Sequence, residues 1–144
     1  MESAKTLFAS LRDKARKAEF ARMQLEELQT AAAKCTPVMH LAPSGGGGEK
    51  RTLEDNVIRI EEAKRDLQKF VDDYETTRQQ IQSLIFTLDD PLQQHVMQLR
   101  YIDGLTWEKI GNTVHVCQAS IYKLNASALQ SIDKILKNRE CGRD

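Results

Sequence analysis

The chain has 144 residues, and its 21 lysines and arginines are balanced by 21 aspartates and glutamates, so the formal net charge is zero. This balance argues against a non-specific nucleic-acid coat, which needs surplus cations to neutralise phosphates, although a local DNA-reading surface stays compatible with it. No apolar run approaches the roughly 18 residues that span a bilayer. Met1–Lys5 lead into a charged helix instead of an apolar signal core, so we expect a cytoplasmic protein with no membrane partner.

The cysteines and histidines do not have the spacing of a metal site, a disulfide framework or a catalytic group. The three cysteines, Cys35, Cys117 and Cys141, are too far apart for a paired zinc motif or a disulfide framework. The three histidines, His40, His95 and His115, fall in a predicted loop, helix and turn, with no nucleophile and orienting group at a useful spacing. We therefore expect no metal, no cofactor and no enzymatic activity.

The first predicted element is a long helix from about Ser3 to Lys34. Alanine and leucine recur along it every seven residues, at Ala4, Leu11, Ala18, Leu25 and Ala32. The stretch 35–51 that follows contains two prolines and four consecutive glycines. Those residues are typical of a flexible connector, so a loop is predicted there.

A second long helix is predicted after Thr52, a plausible N-cap. Its first apolar series has a period of seven: Leu53, Ile60, Leu67, Tyr74, Ile81 and Leu88. A second series follows four residues later in each heptad: Val57, Lys64, Val71, Arg78 and Ile85. This is a coiled-coil seam with two basic residues in it. The simplest arrangement is a helical hairpin over residues 1–88, and pairing between chains in a homo-oligomer is the alternative.

The remaining residues, 89–144, are predicted to form three helices. Asp90 can cap the first and Pro91 suits its first turn. Thr106 can cap a short helix over Trp107–Thr113, and the last helix is predicted from about Cys117 to Lys137.

The spacing within this segment is that of a helix-turn-helix. Apolar residues stand where its two helices would pack together: Ile110, Val114, Val116, Ile121 and Leu124. Gly111 is small where a close approach is needed, and His115 stands in the turn where φ is often positive, a region that His tolerates better than most residues. A plain helical bundle with these residues as its core remains the alternative.

The run Leu99–Ile110, Leu-Arg-Tyr-Ile-Asp-Gly-Leu-Thr-Trp-Glu-Lys-Ile, resembles region four of bacterial primary sigma factors. Nearly the whole chain also resembles a family of small proteins from phages and prophages of Gram-positive bacteria, including a Thr-Pro and Pro-x-Gly-Gly-Gly loop matched at Thr36-Pro37 and Pro43–Gly47. The resemblance implies an all-α fold, in which a long coiled-coil-like hairpin precedes a three-helix module like sigma region four. It implies a sequence-specific DNA-binding transcription regulator.

Carried onto this chain, the resemblance makes Gln118–Lys137 the recognition helix, whose N-terminal half would enter the major groove of double-stranded DNA. The residues implied to contact DNA from this helix are Gln118, Ala119, Ser120, Tyr122, Lys123 and Asn125. At the start of the preceding helix, Thr106, Trp107 and Lys109 are implied to lie against the DNA backbone. Trp107 has an alternative role in closing the core.

The chain departs from sigma region four in its charge. Only Lys123 provides a cation in the first half of the recognition helix, and residues 89–144 contain seven acidic and seven basic groups. A lone module should therefore bind DNA weakly and depend on a second copy or on RNA polymerase. Two further functions stay open: an interaction protein that binds RNA polymerase or another protein through the coiled coil, and a small-terminase-like DNA-packaging subunit.

Overall fold

The computed structural model describes the backbone of residues 3–41 and 46–142, and the side chains of residues 3–34 and 53–142. Within these ranges the backbone is helical apart from short turns, and no strand is formed. The predicted all-α fold class is confirmed. None of the described helices is long and apolar enough to cross a membrane.

Two long helices begin the fold, α1 over Ala4–Leu41 and α2 over Gly46–Phe86. Both extend further into the predicted 35–51 loop than expected: α1 passes Lys34, and Thr52 lies inside α2 instead of capping it. Lengthening an existing helix needs no new nucleus, although Pro37 within α1 and the glycines that begin α2 are poor helix formers. Residues 42–45 of the predicted loop lie outside the described residues.

The C-terminal segment contains three more helices, α3 over Pro91–Met97, α4 over Trp107–Val114 and α5 over Gln118–Cys141. A π-helical turn over Gln98–Ile102 directly continues α3. A π turn accommodates an extra residue per hydrogen-bonded ring; here the Asp103 amide donates to the Gln98 carbonyl at 3.0 Å.

Two predicted N-caps are confirmed. The Asp90 carboxylate accepts a hydrogen bond from the Leu92 amide at 3.0 Å, and Pro91 occupies the first turn of α3. The Thr106 hydroxyl accepts from the Lys109 amide at 3.3 Å at the start of α4. Each cap satisfies an amide that has no partner inside its helix.

The described residues form two compact units. The first, here called the C-terminal unit, takes its residues from 1–13 and 75–144. The second covers 14–74 and is here called the hairpin unit, after the predicted hairpin. The predicted division into domains at residues 88 and 89 stays a prediction.

The start of α1 is built into the C-terminal unit. Phe8 is 1% exposed, and its ring meets Tyr101 edge-on with centroids 5.0 Å apart. The Ala4 amide, at the first turn of α1, donates to the Asp133 carboxylate of α5 at 2.6 Å. This bond satisfies an otherwise unpaired amide and places a negative charge at the positive end of the helix dipole.

In the hairpin unit, the Lys14 ammonium of α1 lies 3.2 Å from the Asp73 carboxylate of α2. The predicted seam residues Ile60, Leu67 and Val71 are half-buried. The basic seam residue Lys64 is exposed and pairs with Glu61 on its own helix at 3.6 Å. Its charge therefore stays in water instead of entering the seam.

Candidate nucleic-acid interface

A small apolar core holds α3, α4 and α5 together. Val96, Ile110 and Ile121, one from each helix, are fully buried. Partly buried side chains pack around them: Leu92, Leu99, Leu105, Trp107, Val114, Val116 and Leu124. Burying each large aliphatic side chain stabilises the unit by about 1.5–3 kcal/mol, so this core fixes the position of α5 relative to α4.

The turn between α4 and α5 is tight, and the predicted positive φ of His115 and close approach at Gly111 are observed. His115 has φ 59° and ψ 44°, in the left-handed region, and its amide donates to the Gly111 carbonyl. A Cβ on Gly111 would lie 3.0 Å from the Val116 carbonyl oxygen and 3.6 Å from Ile121 Cδ1. Cys117 occupies the extended N-cap position of α5.

The side chain of Cys117 does not cap the helix, but it contacts Ser120. Its sulfur lies 3.2 Å from the Ser120 hydroxyl. This hydrogen bond is the main cause that lowers the pKa of the exposed Cys117 thiol. Ser120, one of the predicted DNA contacts, is half-buried and shares its hydroxyl with this neighbour.

The first two turns of α5 expose four of the predicted contact residues: Gln118, Ala119, Tyr122 and Lys123. They follow directly on the tight turn, and Ile121 between them is fully buried in the core. The surface therefore combines an amide, a methyl group, a phenol and an ammonium on a helix whose position is fixed by packing.

Asn125 lies at the edge of this surface and has a structural partner. It is half-buried, and its carboxamide oxygen accepts a hydrogen bond from the Tyr101 hydroxyl at 2.9 Å. Burial raises the pKa of Tyr101, against the opposing effect of this bond. Asn125 thus links α5 to the π-helical turn. Because its Oδ1 is already bonded to Tyr101, mainly its amide NH₂ group could contact a base.

Trp107 joins the core to the surface. Its half-buried ring packs on the core cluster and meets the Tyr122 ring edge-on, with centroids 5.4 Å apart. The Arg100 guanidinium lies over the same ring, 4.3 Å from its centroid, and donates to the Leu105 carbonyl at 3.0 Å. The predicted core role of Trp107 is therefore present, together with contacts to two surface residues.

The other predicted α4 residues, Thr106 and Lys109, are exposed. Both lie in the first turn of α4, where Thr106 acts as the cap. Their position leaves the Lys109 ammonium in solvent at the helix start.

Arg100 was not among the residues predicted for the site. Its identity as a cation was readable from the sequence, but its position over Trp107 depends on the π-helical turn in which it lies. Inserting one residue into a helix rotates every later side chain by about 100°, and the helical period alone does not reveal that rotation. The same turn contains Gln98, whose buried Oε1 has no hydrogen-bond partner among the described residues.

Residues 35–133 match the family described as a protein of unknown function (DUF1492). The matched stretch is more than half of the chain, so the chain belongs to this family. It contains every predicted DNA-contacting residue. No curated protein and no solved structure matches the chain.

Proposed function

We propose that the protein is a sequence-specific DNA-binding transcription regulator whose α4 and α5 act as a helix-turn-helix. The observation that carries the proposal is the exposed first half of α5, fixed on a buried core directly after a tight turn. In a helix-turn-helix, this half of the second helix enters the major groove. The resemblance of Leu99–Ile110 to region four of primary sigma factors supports the same assignment.

The exposed groups on α5 suit base reading. A Gln118 carboxamide can pair with both major-groove groups of adenine, and the Ala119 methyl group suits the methyl group of thymine. Lys123 supplies an ammonium for a phosphate. The positive end of α5, a helix of 24 residues, adds a further preference for phosphate at its N-terminus.

The first turn of α4 and the neighbouring π-helical turn would meet the DNA backbone. Lys109 is exposed there, and Thr106 lies beside it. The Arg100 guanidinium uses one N–H on the Leu105 carbonyl and retains other donors. Its position over Trp107 holds it in one orientation, which reduces the entropy lost when it pairs with a phosphate.

The small number of cations on this surface, and the neutral charge of residues 89–144 as a whole, predict modest affinity. Few neutralised phosphates mean weak non-specific binding, so a second copy or RNA polymerase would have to raise the local concentration of the module at DNA. A sigma-like regulator of phage type would be held near promoter DNA by RNA polymerase.

The test is the selection of preferred duplexes from a random-sequence DNA pool at low salt. We expect an enriched motif, and we expect Gln118→Ala to lose the preference at one adenine position by about tenfold or more, equivalent to 1–3 kcal/mol. Gln130→Ala is the matched control, because Gln130 is also exposed on α5 but lies three turns further along. An identical motif for wild type and Gln118→Ala, or no motif at all, would overturn the proposal.

The same purified protein distinguishes a DNA-binding regulator from the alternative function, an interaction protein that binds RNA polymerase. Retention of RNA polymerase by a protein that enriches no DNA motif would favour an interaction protein, for which the heptad helices provide the surface. An enriched motif together with polymerase binding would instead agree with a sigma-like regulator.

A further inference from the structure

The carboxamide of Asn125 is bonded at one end and open at the other. Its Oδ1 accepts the hydrogen bond from the Tyr101 hydroxyl, whereas its amide nitrogen has no hydrogen-bond partner among the described residues. That nitrogen is in contact with solvent, because Gln98 Oε1 is the one buried side-chain polar atom without a partner in the described part of the chain. Asn125 therefore presents two N–H donors to solvent and turns its acceptor toward the π-helical turn.

The hydroxyl that holds this acceptor belongs to a packed ring. Tyr101 is half-buried, and its ring meets the buried Phe8 of α1 edge-on, at an interplanar angle of 84°. Aromatic pairs in this geometry contribute stability beyond the area that they bury. The Tyr101 hydroxyl is thus a fixed donor beside α5, and its bond gives the Asn125 amide a preferred orientation.

Asn125 lies on the same side of α5 as Gln118. The two residues are seven positions apart, which is two helical turns and about 10 Å along the axis. At 3.4 Å for each base along a strand, that distance corresponds to roughly three base pairs. If α5 enters the major groove, the Asn125 amide would meet a base about three pairs from the base that Gln118 meets.

The bond to Tyr101 changes which base suits Asn125. An unrestrained asparagine pairs with adenine through both ends of its amide, accepting from N6 and donating to N7. An amide that offers only donors fits guanine better, because the major-groove edge of guanine has two neighbouring acceptors, N7 and O6. Adenine has one acceptor beside a donor, thymine has one acceptor beside a methyl group, and cytosine has a donor.

We propose that Asn125 reads a guanine and that Tyr101 is the positioning residue that sets this preference. The inference rests on the proposed DNA-binding function and adds to it the base expected at one position. Since Phe8 packs against Tyr101, the start of α1 contributes indirectly to the base that α5 reads.

The test starts from the motif selected by the wild type and measures binding to four duplexes that differ only at the proposed guanine. Wild type should bind guanine over adenine by roughly fivefold or more, and Asn125→Ala should lose that preference. Asn125→Asp, which has only acceptors, should prefer cytosine, whose N4 group is a donor. The preference at the adenine assigned to Gln118 should stay the same in both variants.

Tyr101→Phe tests the positioning role, because it keeps the ring and removes only the hydroxyl. With Oδ1 released, adenine should bind within about twofold of guanine. Tyr74→Phe is the matched control, since Tyr74 is also half-buried but lies on α2, and it should keep the wild-type ratio. A double variant of Tyr101→Phe with Asn125→Ala should show the same base ratios as Asn125→Ala alone.

The ratio between duplexes separates a positioning role from a loss of folding, because an unfolded fraction weakens binding to all four duplexes equally. A motif that Asn125→Ala leaves unchanged, or a wild-type preference for adenine or cytosine at this position, would overturn the proposal. A Tyr101→Phe variant with the wild-type ratio would overturn the role of Tyr101. In each of these cases the enriched motif would leave the DNA-binding function standing, whereas the absence of any motif would overturn both proposals.

Discussion

The backbone conformation of the single residue His115 sets the orientation of α5 relative to α4. His115 is the only described non-glycine residue with positive φ, at 59°, and the turn that it forms positions α5. The left-handed conformation costs an ordinary residue about 1–2 kcal/mol. The sequence predicted this position because His is one of the residues that tolerate that region best.

Replacing His115 tests the conformational cost directly. We expect His115→Gly to raise the free energy of unfolding by up to about 1 kcal/mol, since Gly avoids the strain but loses more entropy on folding. His115→Val should lower it by about 1–2 kcal/mol or more, because a β-branched residue suits this conformation least. Urea unfolding measures both. Because the side chain is exposed, equal stabilities for the two variants would show that the turn conformation is not under strain.

The raised pKa of Tyr101 predicts that the free energy of unfolding depends on pH. Its pKa is raised above the ordinary value of about 10, mainly by burial. A raised pKa in the folded state means that the contribution of the neutral phenol to stability is complete below pH 10. It is lost as the pH rises through the folded-state pKa.

Tyr101→Phe should therefore cost about 1 kcal/mol at pH 7, from the lost bond to Asn125. The difference from wild type should shrink above pH 10, because the wild type alone has a buried phenol to ionise. Chemical unfolding between pH 7 and pH 11 measures this, with Tyr122→Phe as the control because Tyr122 is 49% exposed. A difference in unfolding free energy between wild type and Tyr101→Phe that stays constant from pH 7 to pH 11 would contradict the raised pKa of Tyr101.

At the scale of whole elements, α1 contributes to both units. Its first turns pack in the C-terminal unit through Phe8 and the Asp133 cap, whereas residues from Lys14 onward belong to the hairpin unit. The heptad pattern did not include Phe8, because Phe8 lies beside the predicted stripe and is buried by Tyr101 from a distant part of the chain. Local periodicity contains no information about such a contact.

Two phenylalanines on α1 form a matched pair for testing this division. Phe8→Ala should cost about 3–5 kcal/mol, because it empties a filled position in the core. Phe20→Ala should cost far less at concentrations where the chain is monomeric, because the Phe20 side chain is 63% exposed. Thermal unfolding followed by circular dichroism measures both. A loss of stability for Phe8→Ala that is as small as the loss for Phe20→Ala would contradict the packing of the start of α1 in the C-terminal core.

Element boundaries were predictable where a side chain marks them. Asp90 and Thr106 begin their helices as predicted, because each provides the acceptor that an unpaired amide needs. The π-helical turn at Gln98–Ile102 was not predictable, since no residue type marks it. The position of Arg100 over Trp107 depends on that turn, so this part of the candidate site became visible only in the structure.

At the scale of the whole molecule, the charge balance has a structural distribution. Residues 1–36 contain seven basic and five acidic groups, and residues 49–88 contain seven and nine. The ion pair between Lys14 and Asp73 is a direct contact between these two segments. The zero net charge thus arises partly because these two segments have net charges of opposite sign. The C-terminal segment, residues 89–144, is neutral by itself.

The most direct test of the central claim, that α5 reads DNA, compares two lysines on that helix. Fluorescence anisotropy would measure binding of the selected duplex and of a scrambled duplex at several salt concentrations. We expect Lys123→Ala to weaken binding to both duplexes by roughly fivefold at physiological salt and to reduce the salt slope by about one, as for the loss of one phosphate contact. Lys137→Ala, the same change at an exposed position further along α5, should leave both values unchanged. Equal binding of selected and scrambled duplexes by the wild type, or equal effects of the two lysine variants, would contradict the claim.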